Sequence, residues 1–163
     1  MNRLTTEPLS AAAFAPFGDV IAPEGTSFAI NDGLCQRFHD LARLDFGPGG
    51  RAGVSLAVSQ AIALPHALSL VERHPLGSQM FVPLTPTPFL VTVAPDEEGR
   101  PGTPRAFIAT SGQGVNYLRG TWHGVLAPLA GPARFLVVDR IAPDDAPNAN
   151  LNEWLFETFW TIV

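Results

Sequence analysis

The sequence predicts an all-β fold, a sandwich or barrel. Three observations carry this: apolar residues alternate with a period of two, the alternating segments recur at roughly 8–12-residue spacing, and 15 glycines and 16 prolines lie scattered between them as turn formers. Alternation is plainest in Leu34, Gln36 and Phe38 against Cys35, Arg37 and His39, and in Val54, Leu56 and Val58 against Ser55, Ala57 and Ser59. Further strands are expected over 67–74, 79–84, 89–94, 105–110, 114–118, 122–126 and 135–140. Turn-forming stretches such as Pro86-Thr87-Pro88 and 96–102 separate them.

Two segments ask for something other than strand. Near the N-terminus, Ser10 is placed to cap a short helix through Ala11, Ala12, Ala13 and Phe14, which Pro16 and Gly18 end before the apolar pair Val20 and Ile21. In the tail, Leu151, Trp154, Leu155, Phe159 and Ile162 fall on one helical face, while Trp154, Phe156, Thr158 and Trp160 alternate as in a strand. A terminal helix is the expectation, its aromatic surface covered by the barrel or by a second subunit.

At 163 residues and 46% hydrophobic content, the chain is read as one domain, 1–163, able to bury a core without staples. Charged residues make up 15% and the net charge is -5 without a basic cluster, which argues against nucleic acid and favours a small-molecule partner. No long apolar segment follows a charged start, and the apolar runs fall short of a membrane span, so the reading is soluble and cytoplasmic. The single cysteine, Cys35, excludes an intramolecular disulfide framework and reads as a half-buried small apolar side chain.

The chemistry concentrates in two stretches. If the segment after Ala67 is a strand, Leu68, Leu70, Glu72 and His74 share one face and Ser69, Val71 and Arg73 the other. A tight turn at Pro75 to Gly77 would return Gln79 and Phe81 so that Glu72, His74 and Gln79 meet at one mouth of the barrel. A carboxylate beside an imidazole in an apolar frame is costly unless paired, metal-bound or working as an acid–base couple. The second stretch, 112–124, offers the phenol of Tyr117, the permanent cation of Arg119 and the titratable His123 among turn glycines, a set suited to a small anionic substrate.

These stretches resemble the ureidoglycolate lyase family, older name ureidoglycolate hydrolase, of the cupin superfamily. The matching segments are PFGDVI (16–21), RFHDLA (37–42), ERHPLGSQMFVPL (72–84), GQGVNYLRGTWH (112–123) and VVDR (137–140). The resemblance implies a cupin-like double-stranded β-helix, a jelly-roll barrel, with a few short helices. It also implies a homodimer and a carbon–nitrogen lyase of allantoin breakdown that releases urea and glyoxylate. Cupins place ligands as His-x-His, three or four residues, then Glu, with a last His further on. Glu72-x-His74, four residues, then Gln79 fits that spacing, and His123 stands for the last histidine. The set reads as a modified metal site of Glu72, His74, Gln79 and His123 for a divalent ion such as nickel or manganese, with no organic cofactor. Two histidines often found in the family are replaced here by Leu118 and Gly124, and the segment after Arg140 departs from the family, Asp144 and Asp145 answering its acidic stretch only loosely.

The implied elimination needs a base for the hydroxyl proton and an acid for the departing urea nitrogen. His74 or His123 is expected as base, tuned by Glu72 or a metal. Gln79 and Tyr117 are expected on the ureido group, and Arg119, or Arg73 through a dimer, on the carboxylate. The competing readings are a metal-dependent cupin enzyme of other chemistry and a non-catalytic module that binds a small acid.

Overall fold

The computed structural model describes residues 2–110 and 112–163. The first half of the chain runs through β1 (Asn2–Leu4), β2 (Thr6–Pro8), helix α1 (Ala11–Phe14), β3 (Gly18–Ile21), β4 (Phe28–Ile30), β5 (Cys35–Arg37), β6 (Arg51–Ser59), β7 (His66–Arg73) and β8 (Gln79–Pro83). The second half follows with β9 (Phe89–Ala94), β10 (Asp96–Glu97), β11 (Arg100–Pro101), β12 (Arg105–Ala109), β13 (Gly114–Tyr117), β14 (Trp122–His123), β15 (Ala127–Pro128), β16 (Ala133–Ile141) and β17 (Asn152–Ile162). An eight-stranded sheet takes the order β1-β17-β7-β14-β9-β12-β2, with β15 also on β9, and faces a five-stranded sheet of order β3-β13-β8-β16-β6. The all-β, cupin-like barrel expected from the resemblance is the observed fold.

Alternation decides what lies between the sheets. Phe89, Val91 and Val93 of β9 and Phe107 of β12 meet Val115, Tyr117 and Phe135 of the opposite sheet in one buried cluster, which Phe14 and Phe17 close at one end. The intervening Leu90, Ala94 and Ala106 point the other way into a second cluster with Leu4, Leu68, Val71, Trp122 and Ile162. Strand β9 is buried at all six positions and reads as an apolar run interrupted only by Thr92. Phe14 reaches the core because Ser10 caps α1, its Oγ accepting from Ala13 N at 3.3 Å.

Three expectations change in the structure. The tail is strand β17, not a helix: Asn152 to Leu155 pair with Arg73 to Leu70, and Trp160 to Ile162 pair with Leu68 to His66. The β-favouring run of Trp, Phe, Thr and Ile supplies the open edge of β7 with a partner, and Trp154, Phe156 and Trp160 pack on the second cluster. Its register shifts between Leu155 and Trp160, and opposite this irregularity Leu68 joins Val71 in the outer cluster instead of sharing the face of Glu72. Cys35 is exposed, on a short hairpin formed by β4 and β5 that has no other strand partner among the described residues.

Close strand packing fixes Gly18. A β carbon there would lie 1.9 Å from the backbone oxygen of Asn116 on the paired strand β13 and 2.9 Å from Phe14 Cε1. Gly18→Ala is expected to destabilise the fold by about 1–3 kcal/mol, the cost of overpacking. A lower urea midpoint at unchanged m-value checks it, and an unshifted midpoint contradicts the contact.

Candidate active site

Strands β7, β14, β13 and β8 bring the candidate residues together. His123 sits opposite Glu72 in the β14–β7 pairing, and Tyr117 opposite Gln79 in the β13–β8 pairing. Ligand atoms of Glu72, His74 and His123 all lie within 4.8 Å of one another. The His74 and His123 rings are 5.3 Å apart between centroids. Tyr117 stacks on His123 at 4.2 Å with an interplanar angle of 2°, so the phenol fixes the plane of the imidazole.

Hydrogen bonds orient both histidines. His74 Nδ1 lies 2.7 Å from the carbonyl oxygen of Asn150, and His123 Nδ1 lies 3.1 Å from that of Gly124. A carbonyl only accepts, so Nδ1 carries the proton in each ring and Nε2 presents a lone pair. Both Nε2 atoms are buried without a partner among the described residues, as is Gln79 Oε1, while Gln79 Nε2 donates to Asp139 Oδ2 at 3.4 Å. Unpartnered acceptors beside a carboxylate are what a divalent cation or a donor-rich ligand requires. The two imidazoles and one carboxylate fit a divalent ion of the borderline class.

Burial governs the protonation of the cluster. It pushes the Glu72 carboxyl above its usual range; a second proton on His74 would oppose this, and Glu153 across the strand pair adds to it. Burial, with His74 nearby, lowers His123 to about 3 against the Gly124 hydrogen bond, so its imidazole is neutral at working pH. Burial and then Glu72 push the Tyr117 phenol up, and it keeps its proton.

The two arginines fare differently. Arg73 stacks over Trp122 at 4.5 Å and binds Asp96 at 2.6 Å and Asn152 at 3.2 Å, on the side of the strand opposite Glu72. Arg119 pairs with Asp45 at 2.5 Å and holds that carboxyl below its usual range. It also abuts the turn after His74: a β carbon on Gly47 would meet Leu76 O at 2.6 Å and Arg119 Nη2 at 3.2 Å. Sequence reasoning missed Asn150, Asp45 and Asp139. Each meets its partner 60 to 76 residues away, beyond any local spacing signal.

A surface cleft of about 330 Å³ lined by Ile21, Cys35, Phe38 and Val82 shares no residue with the cluster. Convergent donors outweigh concavity here.

The comparisons agree with the residues. A family model described as ureidoglycolate lyase matches residues 1–163. The chain belongs to the ureidoglycolate lyase family. Relatives in that family include the ureidoglycolate lyase of Rhodobacter capsulatus, 60% identical over 155 residues, covering 94% of each chain. That of Chelativorans sp. is 58% identical over 158 residues, 96% of this chain and 93% of the relative. A ureidoglycolate lyase 2 of Rhizobium meliloti is 52% identical over 159 residues, covering 96% and 95%. Within this family member, a β carbon at position 124 would lie 2.0 Å from Thr92 Oγ1, so a side chain there requires Thr92 to move.

Proposed function

We propose that the protein is a cytoplasmic ureidoglycolate lyase that eliminates urea from ureidoglycolate to give glyoxylate. The observation that carries this is the convergence of Glu72, His74 and His123 with both imidazole Nε2 atoms bare, in a chain of this family. In the elimination, the hydroxyl loses its proton as the carbon–nitrogen bond breaks. The oxygen's electrons form the glyoxylate carbonyl, the bonding pair leaves on the urea nitrogen, and that nitrogen takes a proton.

His74 Nε2 takes the hydroxyl proton. Glu72, whose carboxyl is pushed above its usual range by burial, is placed to pass a proton to the departing nitrogen. Gln79 Oε1 accepts from the ureido N–H groups, which supplies the partner it lacks. Tyr117, proton-bearing and stacked on His123, donates to the ureido carbonyl. Arg119 holds the substrate carboxylate, in competition with Asp45. The same donor set favours a second reading in which Glu72, His74 and His123 hold a nickel or manganese ion, Gln79 completing the set. Such an ion supplies Lewis acidity that lowers the hydroxyl pKa. No helix among the described residues is long and apolar enough to cross a membrane.

The test is coupled detection of urea and glyoxylate from racemic ureidoglycolate, before and after chelation and with nickel or manganese restored. Release well above the spontaneous rate supports the lyase, and loss on chelation with recovery on add-back supports the metal-bound form. Binding without urea release would instead favour a sensor.

We also propose that the active form is a homodimer joined at β6. This outer strand presents Val54, Leu56 and Val58 on one face at 70%, 71% and 66% exposure. Among the described residues it has only β16 as partner, in an unbroken register from Arg51 to Ser59, and it carries no Lys, Pro or bulge to protect its free edge. Leu56→Glu is expected to convert a particle of twice the 17.4 kDa chain mass to the monomer by light scattering. An unchanged mass would place any dimer contact elsewhere.

A further inference from the structure

We propose that the segment 142–151 is a strap that selects the tautomer of His74, with Asn150 as its positioning residue. The proposal rests on the reading of His74 as a working group of the site. Asn150 grips the turn after β7 at two points. Its backbone oxygen accepts from His74 Nδ1 at 2.7 Å, and its side-chain Oδ1 accepts from Leu76 N at 2.8 Å. The turn is tied a third time where Gly120 N donates to His74 O at 2.9 Å.

The strap is itself anchored. Arg140, with a side chain only 4% exposed, binds Asp145 through Nε at 3.0 Å and Nη2 at 3.1 Å. Its Nη1 donates to the carbonyls of Phe46 and Pro48, which locks the neighbouring loop into the same clasp. Backbone bonds from Asp145 to Ala142, Ala149 to Ala146 and Leu151 to Asn148 fold the segment into successive turns. Beyond it, Asn152 pairs with Arg73 at the start of β17, so the strap runs from β16 to the strand paired with β7, whose last residue precedes His74.

The two histidines therefore differ in what orients them. His123 Nδ1 is held by the carbonyl of the next residue, a bond its own strand supplies. His74 depends on a residue 76 positions away. An imidazole with the proton on Nε2 can neither accept a hydroxyl proton there nor ligate a cation, and the two neutral tautomers are close in energy in water. A carbonyl held at hydrogen-bond distance of Nδ1 removes that ambiguity, as outer partners of working histidines do. Asn150→Ala frees the strap end from Leu76 and loosens the carbonyl. Asn150→Asp keeps an acceptor for Leu76 N.

The experiment records imidazole ¹⁵N–¹H correlation spectra of the chelated full chain, together with steady-state kinetics, for wild type, Asn150→Ala and Asn150→Asp. The chain has four histidines, so the His74 signals are assignable. Wild type is expected to show His74 protonated at Nδ1. Asn150→Ala is expected to show averaging toward the Nε2-protonated form, with kcat lowered about 10-fold and KM within about two-fold. Asn150→Asp should recover most of both signals. A wild-type His74 protonated at Nε2, or an Asn150→Ala variant with unchanged spectrum and unchanged kcat, overturns the strap. If wild type releases no glyoxylate, the proposed activity fails, while the spectra still decide the tautomer.

Discussion

A His123→Asn variant is expected to lose about 100-fold in kcat, the scale of removing a positioned acid–base or electrostatic group, while keeping its near-UV circular dichroism. His123 is central to the cluster: its ligand atom lies within 4.8 Å of those of Glu72 and His74, its ring stacks on Tyr117, and it is 1% exposed. Asparagine retains a polar group of smaller volume on a strand whose backbone pairing with Val93 does not depend on the side chain. The loss follows whether the imidazole serves as an acceptor for substrate or as a cation ligand. The chelation series separates these, because a ligand's removal also weakens the response to added nickel or manganese. Turnover within about three-fold of wild type in a folded variant would take His123 out of the reaction.

The same residue governs acid stability. His123 titrates near 6.5 in an unfolded chain and is lowered to about 3 in the fold, chiefly by burial. The unfolded chain therefore binds a proton that the folded one refuses. The stabilisation is fully present above pH 6.5 and is lost as pH falls from 6.5 toward 3. One proton corresponds to a slope of at most about 1.4 kcal/mol per pH unit. Glu72 works in the opposite sense. Its range is raised by burial, so its contribution is present below the ordinary carboxylate range and is lost as pH rises through its folded value. The window from pH 6.5 to 5 tests the His123 contribution. Urea unfolding of the chelated protein at pH 7.5, 6.5 and 5.5 should show falling midpoints in wild type and a flatter series in His123→Asn. Parallel series would locate the acid-sensitive group elsewhere.

The strands that alternate cleanly were legible without coordinates. Segments 67–74, 79–84, 89–94, 105–110, 114–118 and 135–140 appear in the structure within a residue or two of their expected ends, because a half-buried strand writes its period into the chain. The segment 122–126 shortens to Trp122–His123. There Gly124 packs closely against Thr92. The tail carried two periods at once, and residues 151–162 could satisfy either until a neighbour was specified. The open edge of β7 chose the strand, which is a fact about a segment some 85 residues earlier.

The site divides along the same line. Glu72 near the end of β7, His74 just beyond it and Gln79 at the start of β8 are separated by one short turn, a placement that period two and the turn at Pro75 to Gly77 make legible, and the cupin-like spacing with His123 came from the resemblance. Contacts across long loops were not available to that reasoning. Arg119 was free in the sequence and is paired with Asp45 in the fold; His74 had two equivalent ring nitrogens, and Asn150 leaves only one of them bare. Strand periodicity is a local property, set by the pleat at every second residue. The choice of partner for a charge or a tautomer depends on which distant backbone arrives within 3 Å, and that is settled when loops 45–50 and 142–151 close on Arg140.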